Sequence, residues 1–349
     1  MGGHALAVPT DRIADSEYCK ACDFLVKHLA PIVNKVFIPH AVPGKKDHGD
    51  IDMVVVLKEM SALEISQSLG SSVYHKNGNC FSFGLPFNNN LIQVDLIQSK
   101  EEYFDLQCQY QSWGDLGNLM GRVAVGALRL HYGWDRMFFR YRAQQDGEAA
   151  DINKGQFGSW SKDYTITQNF SECMKILGYD ESRFRSGFSS KKDIWDFVMS
   201  SKLAHPNHFI FENLDHENRS RNRERPNYVE FVQWVSQFKN TEPVIRPSID
   251  KTVQYLDNHY SLGIHRDILN MKAQSLIIKA QSRRLNGDIV KNISGKEGKE
   301  IGIIINKVYD TLGLSKKNRY DQSLILSNIS DKEIEDAIKK ASDFSQSST

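Results

Sequence analysis

The feature that most constrains this chain is a two-residue rhythm of acids at the start of an apolar run. In Gly49-Asp50-Ile51-Asp52-Met53-Val54-Val55-Val56 the carboxylates recur at the step of a β-strand. Asp50 and Asp52 therefore share one face, and Ile51, Met53 and Val55 take the other. Leu91-Ile92-Gln93-Val94-Asp95-Leu96-Ile97 repeats the pattern, with Gln93 and Asp95 opposite Ile92, Val94 and Leu96. A charge midway along a half-buried strand needs compensation. If the two strands are neighbours, three carboxylates meet on one sheet surface, and a pair of divalent cations would relieve their repulsion. Hard oxygen ligands favour Mg²⁺ or Mn²⁺. Two such ions about 3.5 to 4 Å apart can assist an in-line displacement at phosphorus. A lone D-x-D also fits a solvated strand end, so the second strand carries weight that the first lacks.

Around these strands the pattern is mixed. Ser16–Lys35 has the apolar spacing of an amphipathic helix, with Phe24, Leu25, Leu29 and Ile32 on one side. Val36–Ile38, Ile51–Leu57 and Leu91–Ile97 read as strands, with Phe81–Phe83 a shorter partner of the last, and Ala62–Leu69 reads as a helix. From Gly114 onward helical spacing dominates. It marks Ile166–Lys175, Lys191–Ser200, Tyr228–Phe238, Ile249–Asn258, Ile264–Arg284, Gly298–Leu312 and Asp331–Ala341. At 349 residues the chain is long for one core, and three regions are expected: 1–140, 141–215 and 216–349.

Composition excludes some classes. With 40% hydrophobic and 25% charged residues the chain is globular, and its apolar stretches fall short of the roughly 20 residues that span a bilayer. The first nine residues, Met1–Pro9, lack a basic region followed by an apolar one, so a cytoplasmic protein with no membrane partner is expected. The five cysteines are an odd number and do not read as a secreted disulfide framework; Cys19 and Cys22 form a lone C-x-x-C that is also simple helical spacing. A formal net charge of +1 announces no nucleic-acid partner, so local charge has to carry that argument. The clearest cluster is Arg219, Arg221, Arg223 and Arg225 in the polar, turn-rich stretch His216–Pro226. Arginine forks suit phosphate oxygens, although a solvated loop between domains has the same composition.

The segment Ile38–Leu57 resembles the active-site segment of family X DNA polymerases, within the polymerase-beta-like nucleotidyltransferase superfamily, where a Gly-Ser turn and basic residues precede G-D-h-D-h. Here it reads Pro39-His40-Ala41-Val42-Pro43-Gly44-Lys45-Lys46-Asp47-His48-Gly49-Asp50-Ile51-Asp52. The similarity resumes at Val94-Asp95-Leu96-Ile97, at Glu102-Tyr103-Phe104, and at Tyr110-Gln111-Ser112-Trp113-Gly114-Asp115-Leu116-Gly117-Asn118 followed by Arg122. Met174–Gly178 and Asp193–Phe197 extend it, in islands, to Ser200. Two departures stand out. Pro39-His40 replaces the Gly-Ser pair that cradles the triphosphate, and Pro43 occupies a position where a basic residue is expected. Lys45, Lys46, His40 and His48 are the cations or donors left to grip phosphate, beside Gly49.

The resemblance implies an α+β nucleotidyltransferase: a palm with a mixed sheet and flanking helices, then a smaller nucleotide-closing subdomain. It implies that Asp50, Asp52 and Asp95 are catalytic and hold two Mg²⁺ (or Mn²⁺) ions, that Tyr110, Asp115 and Asn118 lie against the incoming nucleoside triphosphate, and that Arg122 faces the template. A DNA or RNA 3′ end would be the acceptor. Leu285–Ile289 with Ser294–Gly302 is similar to the helical RNA-binding tail of bacterial tRNA nucleotidyltransferases and poly(A) polymerases. That tail, and the small number of residues before the palm, favour a tRNA-end or RNA-tailing enzyme as the second expectation. A non-catalytic nucleic-acid binder on a degenerate scaffold is the third, motivated by Pro39-His40.

Overall fold

The computed structural model describes residues 3–143, 160–238, 246–315 and 317–343. They form two compact units, one drawn from Met1–Arg140 with Asp163–Thr252 and the other from Tyr141–Lys162 with Val253–Thr349. The architecture is mixed α and β, with a five-stranded mixed sheet in the first unit and a helical C-terminal region in the second.

The sheet is built by β2 (Val33–Phe37), β4 (Asp50–Leu57), β5 (Tyr74–Asn77), β6 (Cys80–Phe87) and β7 (Asn90–Gln98), in the order β2-β4-β7-β6-β5. The β4–β7 pairing is parallel, and the other pairings are antiparallel. The two-residue alternation decides which face is covered. Ile51, Met53 and Val55 from β4 and Ile92, Val94 and Leu96 from β7 enter one core with α1 (Asp15–Leu29) and α2 (Ala62–Ser68). Each such side chain contributes about 1.5 to 3 kcal/mol on burial. The helix α2 begins at a capping box, with Ser61 and Glu64 exchanging side-chain and backbone hydrogen bonds. A short ribbon of β1 (Ile13–Ala14) and β3 (Asp47–His48) ties the start of α1 to the segment that leads into β4.

After β7 come α3 (Phe104–Gln111) and α4 (Leu116–Val123), then a π-helical turn at Ala124–Leu128 and the strands β8 (Leu130–Tyr132), β9 (Met137–Arg142) and β10 (Ser161–Thr167). Here the sequence reading needs correction. Ile166 and Thr167 finish a strand, and the helix expected from Ile166 begins at Phe170, where the Asn169 side chain accepts from the Glu172 amide at 3.0 Å. The stretch His216–Pro226 is not a turn-rich linker either. His216–Arg223 is a helix whose cap, Asp215, accepts from the Asn218 amide at 2.9 Å, and Pro226 opens the following helix Pro226–Val235.

The second unit has its own core of Leu285, Val290, Ile304, Val308, Leu314, Leu326, Ile334, Ala337, Ile338 and Ala341. These come from the helices Gly287–Ser294, Lys299–Thr311, Arg319–Ser327 and Asp331–Asp343, with Leu285 and Leu314 in the connections. The tail resemblance therefore falls on a real helix pair, Gly287–Ser294 capped by Asn286 and Lys299–Thr311. Among the described residues no helix is long and apolar enough to cross a membrane.

Candidate active site

The parallel register of β4 and β7 sets Asp52 directly opposite Asp95 and Asp50 opposite Gln93. Antiparallel β6 places Ser82 on the far side of Asp95. The three carboxylates are thus brought to one sheet surface, but they are not equally free. The Ala5 amide donates to Gln93 Oε1 at 2.9 Å, which turns the Gln93 amide nitrogen toward Asp95; Nε2 donates to both Asp95 oxygens at 3.0 and 3.1 Å. The carboxylates of Asp50 and Asp52 accept no hydrogen bond from a described residue.

Asp52 keeps a solvent-accessible surface, yet it sits on the floor of a concavity with protein atoms on most sides. Desolvation first, then repulsion from Asp50 and Asp95, pushes its carboxyl up to about 7, against the pull of Lys45. The Asp95 carboxyl is also raised, chiefly by burial and next by Asp50, while hydrogen bonds from Ser82 and Gln93 work in the opposite direction. Carboxylates held above their ordinary range by burial and then by one another are the donor set that a divalent cation would satisfy. Among the described residues, however, no group of three His, Cys, Asp or Glu side chains is already arranged to hold a metal ion.

A cavity of about 370 Å³ opens over Asp50 and Asp52, walled by Tyr18, His40, Lys45, His48, Gln111, Lys191 and Asn227 together with the Pro39–Gly44 turn. Lys45 is exposed at its rim. Lys46 lies outside the lining, and its carbonyl accepts from the Asp15 amide at 3.2 Å. His40 and His48 serve packing. The His40 ring stacks on Trp113 with centroids 4.7 Å apart, its amide donates to Ser112 Oγ at 3.1 Å, and its carbonyl accepts from the Trp113 amide at 2.6 Å. Burial lowers its pKa. His48 is only 2% exposed, stacks on Tyr18 at 3.7 Å, and has Nε2 at 3.0 Å from Asp15. Burial lowers its pKa too, with Asp15 pulling the other way. Gly49, between His48 and Asp50, is buried. The His40 imidazole and backbone thus pin the Pro39–Gly44 turn to the α3–α4 corner.

That corner engages the arginine-bearing helix. Arg225 Nη1 donates to Asp115, and Asn118 Nδ2 donates to Asn222 Oδ1 at 3.0 Å. Asp115 lines a smaller neighbouring cavity with Trp113, Lys191 and Asn227, whereas Tyr110 and Asn118 line neither cavity. The Tyr110 phenol is raised by burial and lowered by the charges of Arg221 and Arg225. Arg219 is consumed internally: Nε donates to the Phe211 carbonyl at 3.0 Å and Nη2 to the Leu214 carbonyl at 2.8 Å. Arg223 lies over the Phe211 ring, 5.8 Å from its centroid, and remains exposed like Arg221. Arg122 stands apart from the carboxylates, and burial lowers its pKa. Sequence reasoning missed Tyr18, Gln111, Lys191 and Asn227. Lys191 opens the helix Lys191–Ser200 and pairs with Glu230 at 2.8 Å, and nothing in its local sequence points toward the carboxylates.

No sequence family matches this chain, and no curated protein matches it. Among solved structures it is similar to polymerase beta of Leishmania infantum in a ternary P/T complex, at 13% identity over 48% of this chain and 73% of that chain, with a TM-score of 0.33. A likeness of that degree carries no argument about this chain.

Proposed function

We propose that the chain is a metal-dependent nucleotidyltransferase that moves a nucleoside monophosphate from a nucleoside triphosphate to a nucleic-acid 3′-hydroxyl, releasing diphosphate. The observation that carries this reading is the pair of carboxylates Asp50 and Asp52, without donors among the described residues, at the floor of a cavity lined also by Lys45 and Lys191, with Asp95 beside them on the neighbouring parallel strand. Asp50 and Asp52 would hold Mg²⁺ or Mn²⁺, with Asp95 joining them on the acceptor side. When bound, such ions neutralise charge on the phosphates and lower the pKa of the attacking hydroxyl. Lys45 at the rim and Lys191 on the opposite wall provide cations for the triphosphate. The wall formed by Tyr18, His40 and Gln111 restricts where the nucleotide enters. In the transfer, a P–O bond forms to the acceptor, the P–O bond to diphosphate breaks, and the hydroxyl proton leaves to water.

The test is extension of labelled DNA and RNA primers by each triphosphate with Mg²⁺ or Mn²⁺. Wild type should extend one of them, and Asp52→Asn should lose that extension by orders of magnitude while keeping a cooperative melting transition. Unchanged turnover in Asp52→Asn refutes the assignment.

A second reading, a nucleic-acid binder without catalysis, is favoured by the grip of Gln93 on Asp95 and by the lack of a ready three-carboxylate group among the described residues. Melting separates the two. A catalyst gains stability from a triphosphate only when the divalent ion is present, by linkage, whereas a binder on a dead scaffold gains none.

A further inference from the structure

Away from the carboxylate cavity the first unit carries a knot of positive charge whose three arginines form no ion pair among the described residues. Arg122 lies in the last turn of α4, the chain then widens into the π-helical turn Ala124–Leu128, and Arg129 follows with φ of +60°. Such a turn is uncommon and clusters at functional sites. A left-handed arginine must likewise be held by its surroundings. What the turn admits is an imidazole. A Cβ added at Gly126 would stand 2.4 Å from His208 Cδ2, so the bare backbone is what lets the ring lie against it.

His208 is 6% exposed, and neither ring nitrogen has a partner among the described residues. Buried polar atoms are nearly always hydrogen-bonded, and a double orphan calls for a missing partner. Arg122 Nε is orphaned as well. Arg129 spends its Nε on the Pro247 carbonyl at 2.5 Å, which brings it beside Arg246. Burial is the first cause lowering the pKa of His208, Arg122 and Arg246; mutual repulsion adds to it, since Arg122 and Arg246 act on His208, and Arg129 and Arg122 act on Arg246. The acid that acts on Arg122 is Asp215, whose two oxygens already accept from Asn218 at 2.9 and 2.7 Å. Among the described residues none of the three arginines forms an ion pair.

We propose that Arg122, Arg129, Arg246 and His208 form an oxyanion site for a phosphate group, separate from the carboxylate cavity. Three guanidinium forks and an imidazole are donors of the kind an oxyanion takes, and a phosphate supplies both the acceptors and the counter-charge that the knot lacks among the described residues. None of the four residues lines the cavity over Asp50 and Asp52, so this site stands whether or not transfer chemistry is found.

The test uses the full chain in EDTA, with inorganic phosphate titrated against chloride at equal ionic strength. Phosphate should raise the melting temperature saturably and shift the His208 ring resonances. Arg246→Ala truncates a largely exposed side chain that completes no hydrogen bond or ion pair among the described residues, so the variant should fold, and it should weaken phosphate binding about tenfold or more, the loss expected for a charge-assisted hydrogen bond. Arg246→Lys should recover part of that loss. Asp52→Asn, which disables the other site, should respond to phosphate as wild type does. A short oligonucleotide without terminal phosphates identifies the source: binding lost in Arg246→Ala assigns the site to backbone phosphate, and no such binding assigns it to a free or terminal phosphate. The proposal falls if phosphate and chloride act alike on wild type, or if Arg246→Ala binds phosphate unchanged and the His208 resonances stay put.

Discussion

Two glycines of α4, one turn apart, should respond to the same substitution with opposite signs. A Cβ built on Gly117 meets the Tyr110 carbonyl oxygen at 2.4 Å and the Tyr110 ring at 3.0 Å, whereas one built on Gly121 finds its nearest neighbour, the Tyr132 carbonyl, at 3.4 Å. Alanine gains about 0.5 to 1 kcal/mol over glycine inside a helix by reducing backbone entropy in the unfolded chain. At position 121 that gain stands, and melting should rise by about 1 to 4 °C, taking about 2 to 4 °C per kcal/mol for a unit of this size. At position 117 the collision is with backbone, which cannot rotate away, and overpacking costs about 1 to 3 kcal/mol. The net loss, about 1.3 kcal/mol at mid-range, should lower melting by about 3 to 5 °C. The shift would also push α4 off α3 and disturb the Asp115–Arg225 and Asn118–Asn222 links. Melting of the two variants in parallel, followed by circular dichroism, decides the matter. Stabilisation by Gly117→Ala, or equal shifts in both variants, would refute the close approach of Tyr110 to α4.

Other outcomes follow from individual contacts. Asp115→Asn and Arg225→Ala should be non-additive, since the Asp115 side chain is 11% and Arg225 35% exposed; a double-mutant cycle should return a coupling of about 1 to 2 kcal/mol, and simple additivity would count against the pair. Arg219→Ala should destabilise by about 1 to 2 kcal/mol through the carbonyls it leaves unpaired, whereas Arg221→Ala should leave melting within about 0.5 kcal/mol and act, if at all, on nucleic-acid affinity and its salt slope. Acid should find His208. Its pKa is pushed down to about 4 by burial and by His205, Arg122 and Arg246, so the stability contributed by the neutral ring is complete above its ordinary value of 6.5 and is lost as pH falls from there through 4. Melting against pH should therefore slope downward between 6.5 and 4, less steeply in His208→Gln, and a parallel slope in that variant refutes the assignment.

How much of this was legible depended on whether the signal was local. The alternation in Asp50–Val56 and Leu91–Ile97 is a property of neighbouring residues, and it is enough to locate two strands and their acidic faces. That Asp52 faces Asp95 is not local. It follows from parallel pairing of strands separated by α2, β5 and β6, and the sequence offered only a conditional statement about neighbours. Strand β5 escaped because all four of its residues are exposed, which leaves no apolar face to read. The helix His216–Arg223 escaped for a similar reason. It has no apolar stripe, and its evidence in the sequence is a cap, Asp215, and a proline that opens the next helix.

The same contrast explains why the surroundings of His40, His48 and the arginines were less legible in the sequence than those of the carboxylates. An acid on a strand face is defined by its immediate neighbours, but the use of an imidazole or a guanidinium is defined by what it touches across the fold. Tyr18 lies 30 residues from His48, Trp113 lies 73 from His40, and Asp115 lies 110 from Arg225. Local charge and the resemblance offered these cations as candidates for phosphate or template contacts, and packing then divided them. His48 and Arg219 became part of the framework, and Lys45 stayed at the rim of the cavity. Arg122 went to a knot around the buried His208 whose other members, Arg129 and Arg246, carry no motif at all. Cations drawn into packing can be recognised by the hydrogen bonds they complete. Those left for ligands can be recognised by the bonds they still lack, and on that criterion the orphaned nitrogens of His208 and Arg122 mark a binding site more strongly than the exposed arginine row does.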